Sequence, residues 1–79
     1  MAHRAYILVE TAVGKTRDVA SVLRGVEGIR SVDVVTGPYD IIATIDSPDV
    51  NSMGSLITDT IHSVGGVVRT VTCVSVGTP

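Results

Sequence analysis

The chain has 79 residues, 44% hydrophobic and 18% charged, with a net charge of −2, one cysteine, and two aromatic residues, Tyr6 and Tyr39. This is the composition of one globular domain, and at this size only about 60 to 65% of the unfolded chain's surface is buried, so the core is thin and rests on Val, Ile, Leu and Ala. A lone Cys73 makes neither an internal disulfide nor a zinc site by itself. The six Lys and Arg residues are scattered instead of clustered against phosphates, and there is no membrane-length apolar run or leader pattern; the expectation is a cytoplasmic protein that binds no nucleic acid directly.

The first predicted element is a strand, Ala-Tyr-Ile-Leu-Val-Glu over residues 5–10, rich in β-branched and aromatic residues. From Thr16 to Val26, Val19, Ala20, Leu23 and Val26 line one face of a helix, with Gly28 as a stop. Residues 31–36 and 40–46 read as two strands that pair antiparallel across Gly37-Pro38-Tyr39-Asp40. A second helix is announced by Ser47 as cap, Pro48 at the first helical position and Asp49 at the positive end of the dipole. Its stripe is Val50, Met53, Ile57, Ile61 and Val64, and Gly65-Gly66 ends it; residues 67–76 form a last strand. The order strand, helix, strand, strand, helix, strand, with right-handed crossovers, predicts an α+β ferredoxin-like βαββαβ sandwich: one four-stranded antiparallel sheet with two helices on one face. Residues 1–79 read as a single domain with no linker or repeat.

A sheet covered on one face alternates apolar and polar residues, but these strands do not. Tyr6 and Leu8 oppose Ile7 and Val9, Ile42 opposes Ile41 and Ile45, and Val67, Val71 and Cys73 oppose Val68, Val74 and Val76. Four strands leave a second face of roughly 350 Å² in projection, and covering it contributes on the order of 9 kcal/mol before association costs. A homo-oligomer is expected, most simply a dimer with sheets packed face to face.

Signals for chemistry are weak. Val13-Gly14-Lys15-Thr16 ends like a phosphate-binding loop, but position 9, where that motif needs glycine, is Val. His3 and His62 lack ligand neighbours at helical spacing, and no nucleophile is paired with a base in sequence, so no metal, cofactor or catalytic residue is expected. Cys73, in an apolar strand, reads as a small buried hydrophobe. With no Phe or Trp and one strand Tyr, stacking of bases on the sheet is not expected, and there is no Cys-x-x-Cys metal-carrying loop.

The connection at Gly37-Pro38-Tyr39-Asp40 cannot be a two-residue hairpin, because those turns need positive φ where Pro38 is fixed near −65°. A wider loop follows, with Pro38 opening a type I or II turn. It has two readings: Asp40 and loop N–H groups hold a small zwitterion, or Asp40 accepts from local N–H groups and Tyr39 merely packs.

Residues 34–45, Val-Val-Thr-Gly-Pro-Tyr-Asp-Ile-Ile-Ala-Thr-Ile, followed by a helix and the stretch from Gly65 to Val76, resemble the effector domain of the Lrp/AsnC transcription regulators, the RAM domain. Gly37, Tyr39, Asp40, Gly66, Val67, Thr70 and Thr72 stand where that family's motifs have them. The resemblance implies a ferredoxin-like domain that dimerises through its sheets, assembles into octamer-like rings and binds amino acids where dimers meet. It assigns ligand-binding roles to Gly37, Pro38, Tyr39, Asp40, Thr70 and Thr72. Family regulators carry an N-terminal helix-turn-helix domain that this sequence does not contain, which leaves a stand-alone effector domain or a fragment of a larger regulator; the short lead from Met1 to Arg4 favours the former, with full-length Lrp/AsnC regulators as expected partners. An ACT-like regulatory domain, with its ligand near the first loop, is the competing reading; a pure assembly module is another.

Overall fold

The computed structural model describes residues 3–76. Strand β1 is His3–Thr11, helix α1 Thr16–Arg24, β2 Ile29–Val34, β3 Ile41–Ser47, α2 Val50–Ser55 and β4 Val67–Val74; α2 runs directly into a π-helical segment, Leu56–Ile61. The sheet order is β2-β3-β1-β4 and every neighbouring pair is antiparallel, the ferredoxin-like arrangement expected.

Strand β1 lies inside the sheet, so Ala5, Ile7 and Val9 face the helices fully buried, beside Ile45, Ala43 and Ile41 of β3. Against them α1 presses Val19, Ala20 and Leu23, and the second helix presses Met53, Ile57 and Ile61. The four-residue spacing of this last trio keeps one face inward while the backbone widens, and the His62 N–H donates to the Ile57 carbonyl five residues back.

Five local expectations are corrected. Asp49, not Ser47, caps α2: its carboxylate accepts from the Ser52 N–H at 2.7 Å and the Ser52 hydroxyl at 3.0 Å, and Ser47 Oγ instead donates to the Asp49 carbonyl. Consequently Pro48 precedes the helix, and Val50, at its first position, is exposed. The second helical stretch stops at Ile61, although Val64 still packs on the core from the turn. Cys73 is exposed, because β4 is an edge strand and the Cys73 position, opposite Tyr6, faces away from the helices.

That helix-free face carries an apolar band across its middle. Leu8 stands between Ile42 and Val71, and Tyr6 between Thr44 and Cys73, with Tyr6 38% and Val71 36% exposed. On the helix side β4 is also poorly covered: beyond Val67, Thr72 and Val74 are exposed and Thr70 is half-buried.

Candidate functional site

The β2–β3 connection is the wide loop that Pro38 requires. The Val35 N–H donates to the Asp40 carbonyl at 2.9 Å, leaving four residues between them, and the chain bends at Gly37-Pro38 without the hydrogen-bonded type I or II turn expected. Gly37 has φ +138°, a conformation that L side chains rarely adopt, and a Cβ there would meet nothing within 4 Å; its requirement is conformational.

The loop's exit is fixed to β1. The Asp40 N–H donates to the Val9 carbonyl at 2.9 Å, while Asp40 Oδ2 accepts from the Thr11 N–H at 2.8 Å and the Thr11 hydroxyl at 3.1 Å. Thr11 lies at the register shift of β1 against β4, but its N–H is on the β3 side, past the last pair of that ladder, Val9 with Ile41, and so is free for a side-chain acceptor. The Thr11 hydroxyl also lies 2.7 Å from Thr16 Oγ1 at the start of α1. Asp40 therefore ties loop, bulge and helix start together, a variant of the local reading in which the acceptor serves a neighbouring strand.

Tyr39 does more than pack. Arg69 Nη2 donates to its hydroxyl at 3.2 Å, and the guanidinium carbon sits 5.7 Å from the ring centroid. Arg69 Nε is also 3.7 Å from Glu10 Oε1 on β1. Next along β4, Thr70 Oγ1 lies 2.6 Å from His62 Nε2. His62, Val67, Val68, Arg69 and Thr70 line an open cleft of about 290 Å³. Gly66, with φ +99°, lets the chain turn into β4 against Val19 and Lys15.

Of the six residues expected at a ligand site, the structure brings Tyr39 to Arg69 beside Thr70. Gly37 and Pro38 shape the loop tip. Thr72 pairs with the fully buried Ile7 and lies two residues farther along β4, on the helix side, away from Tyr39. Arg69, Glu10, Thr11 and His62 join the corner without having been marked by the sequence motifs. Arg69 did leave a signal, as the one charge in the last strand.

Elsewhere, Asp46 accepts from Arg4 at 2.8 and 3.1 Å and from Arg30 at 3.0 Å, and these bonds, Arg4's first, hold its carboxyl below the ordinary range. The Ser52 N–H and hydroxyl do the same for Asp49. Among the described residues no three His, Cys, Asp or Glu side chains gather as metal ligands, and no helix is long and apolar enough to cross a membrane.

Comparison with known proteins puts this geometry in context. A search of curated sequences finds no significant match. Among solved structures, TTHA0845 from Thermus thermophilus is 26% identical with a TM-score of 0.92, the alignment covering 98% of this chain and 96% of that one. AsnC of E. coli is 13% identical with a TM-score of 0.91, over 98% of this chain and 52% of its own. A transcriptional regulator of Neisseria meningitidis, solved as a complex with L-Met, is 22% identical with a TM-score of 0.84, over 95% of this chain and 50% of its own. The chain thus spans about half the length of these two regulators and shares their fold over that half. The family model of the Lrp/AsnC ligand binding domain matches residues 4–79, nearly the whole sequence, and the chain belongs to that family of regulatory domains.

Proposed function

We propose that the chain is an amino-acid-sensing, oligomerising regulatory module, taking its effector at the corner where the Gly37–Asp40 loop meets β4. The observation that carries this reading is Arg69, held over Tyr39 and beside Glu10 at the mouth of the His62–Thr70 cleft. A free amino acid presents a carboxylate and an ammonium a few ångströms apart. Arg69 offers donors to the first and Glu10 an acceptor to the second, while Val67 and Val68 in the adjoining cleft give an apolar wall to its side chain. Gly37 and Pro38 shape the approach, Asp40 fixes the loop, and Thr72 lies two residues beyond Thr70 along β4.

Because the corner is open, a second copy is needed to enclose a ligand, and the apolar band on the helix-free face supports face-to-face pairing of sheets as the first step of assembly. We extend the reading to higher rings and to co-assembly with full-length regulators built on the same fold. Calorimetry against the twenty amino acids, beginning with L-Met because the Neisseria meningitidis regulator was solved with it, tests the reading. We expect saturable heat from at least one amino acid, lost in Arg69→Ala. Silence from an assembled oligomer would leave a module for assembly alone, a reading that the internal use of Asp40 favours.

A further inference from the structure

The cleft between the end of the second helix and β4 holds one hydrogen-bonded side-chain pair beside Val67 and Val68. Thr70 Oγ1 lies 2.6 Å from His62 Nε2, and among the described residues lining the cleft there is no carboxylate. His62 is fixed from behind: Ile61 before it is fully buried, and the His62 N–H donates to the Ile57 carbonyl at 3.1 Å. A hydroxyl has one proton and two lone pairs. Where Thr70 donates to a bare Nε2, both lone pairs stay free; where an Nε2–H donates to Thr70, one lone pair and the proton stay free. In either arrangement Thr70 offers the cleft an acceptor, and in only one of them a donor.

We propose that this cleft selects an amino acid whose unbranched side chain ends in an uncharged hydrogen-bond donor, a carboxamide of the glutamine type, with Thr70 touching it and His62 positioning Thr70. Resting on the effector reading above, this adds the side chain to the headgroup. The strand sets the length required. Arg69 pairs with Glu10 and faces away from the helices, whereas Thr70 pairs with the buried Val9 and faces them. A headgroup held at Arg69 therefore reaches Thr70 only through a chain of several bonds around the edge of β4, and a short hydroxyl side chain stops before it. An apolar side chain of equal length covers the pair without bonding it, which strands the acceptor once the cleft is closed. A carboxylate brings further acceptors to an acceptor, and an ammonium is set in the same cleft as Arg69 with no acid to meet it. A carboxamide donates to Thr70 in both arrangements and also accepts in the one that leaves Thr70 a free proton.

L-Gln and L-Met, both unbranched and similar in length, are the matched probes. By calorimetry the wild type is expected to bind L-Gln about tenfold more tightly than L-Met. His62 is exposed and Thr70 half-buried, so substitutions there leave the core intact, which circular dichroism verifies. Thr70→Val keeps the shape, deletes the hydroxyl and should bring the two affinities within about threefold by weakening L-Gln. His62→Phe should weaken L-Gln about threefold and leave L-Met unchanged, and His62→Gln, which still bonds Thr70, should restore the wild-type preference. A merely structural role for His62 would move both ligands together. As a second measurement, L-Gln shifts the ring nitrogen resonances of His62 in the wild type and not in Thr70→Val. Equal affinity for L-Gln and L-Met, or a preference that Thr70→Val leaves in place, overturns this selectivity, while binding lost in Arg69→Ala keeps the effector site. Silence from every amino acid overturns both.

Discussion

Gly66→Ala should be among the most damaging one-carbon additions in this chain, for two separable reasons. Its φ of +99° is a conformation in which a Cβ crowds the following carbonyl, costing about 1 kcal/mol. The added methyl would also sit 2.9 Å from Val19 Cγ2 and 3.1 Å from Lys15 Cβ, and Val19 is fully buried and branched, so it has no flexible end to swing away. Forcing a methyl into such a contact costs typically about 1 to 3 kcal/mol. The sum, about 2 to 4 kcal/mol, is a large share of a small domain's stability. Gly65→Ala is the matched control: its φ is not positive and a Cβ there meets nothing within 4 Å, so the change should lie within about 1 kcal/mol of wild type in either direction. Urea unfolding of the three proteins at one protein concentration, followed by far-ultraviolet circular dichroism, keeps any association term constant. If Gly66→Ala unfolds within about 0.5 kcal/mol of Gly65→Ala, the argument from close approach and positive φ is wrong.

Asp40→Ala should cost about 1 to 3 kcal/mol by stranding the Thr11 N–H and hydroxyl, and Asp40→Asn less, since its amide oxygen still accepts; thermal melts and hydrogen exchange at the Thr11 amide read this. Asp46 is held below its unfolded value, so its contribution to stability is complete above about pH 4 and is lost as the pH falls through the folded value. Asp46→Asn should accordingly melt below wild type at neutral pH and draw closer to it in acid; a gap that does not narrow as the pH falls would contradict the two-arginine origin. Asp49→Ala should lower the helix signal and hasten amide exchange at Ser52, with Asp49→Ser retaining most of both, whereas Ser47→Ala should leave that amide unchanged.

The architecture was legible because strand and helix left different signals. The β-branched and aromatic runs of residues 5–10 and 67–74 and the helical spacing of Val19, Ala20 and Leu23 each admit one element, and the βαββαβ order leaves few topologies. Boundaries blurred where two signals competed: Ser47-Pro48-Asp49 holds two residues able to cap, and only the backbone entry angle gives the role to Asp49. The π-helical stretch could not be read, since Met53, Ile57 and Ile61 recur at a spacing that suits an α-helix equally. Cys73 misled because apolar neighbours in an edge strand do not bury it. At the site, Tyr39 and Asp40 stood out through the loop chemistry, but their partners Arg69 and Thr11 lie 30 and 29 residues away and become neighbours only through strand pairing.

The division of labour between adjacent residues of one loop yields the final prediction. Asp40 commits Oδ2 to Thr11, so its removal loosens the frame, and any loss of ligand that follows is ambiguous. Tyr39 is different: among the described residues its hydroxyl bonds only to the exposed Arg69, and Tyr39→Phe keeps the ring under the guanidinium while deleting one acceptor. Stability should therefore change by less than about 0.5 kcal/mol, as for other exposed polar contacts. On the proposed function, amino-acid affinity should respond more, because the guanidinium's direction is set partly by that hydroxyl, and misdirecting a charged donor costs about 1.5 kcal/mol, or roughly tenfold in Kd. Equal affinity in Tyr39→Phe, with loss in Arg69→Ala, would show that Glu10 alone aims the guanidinium. Equal affinity in both would remove the corner from recognition and return Tyr39 to packing.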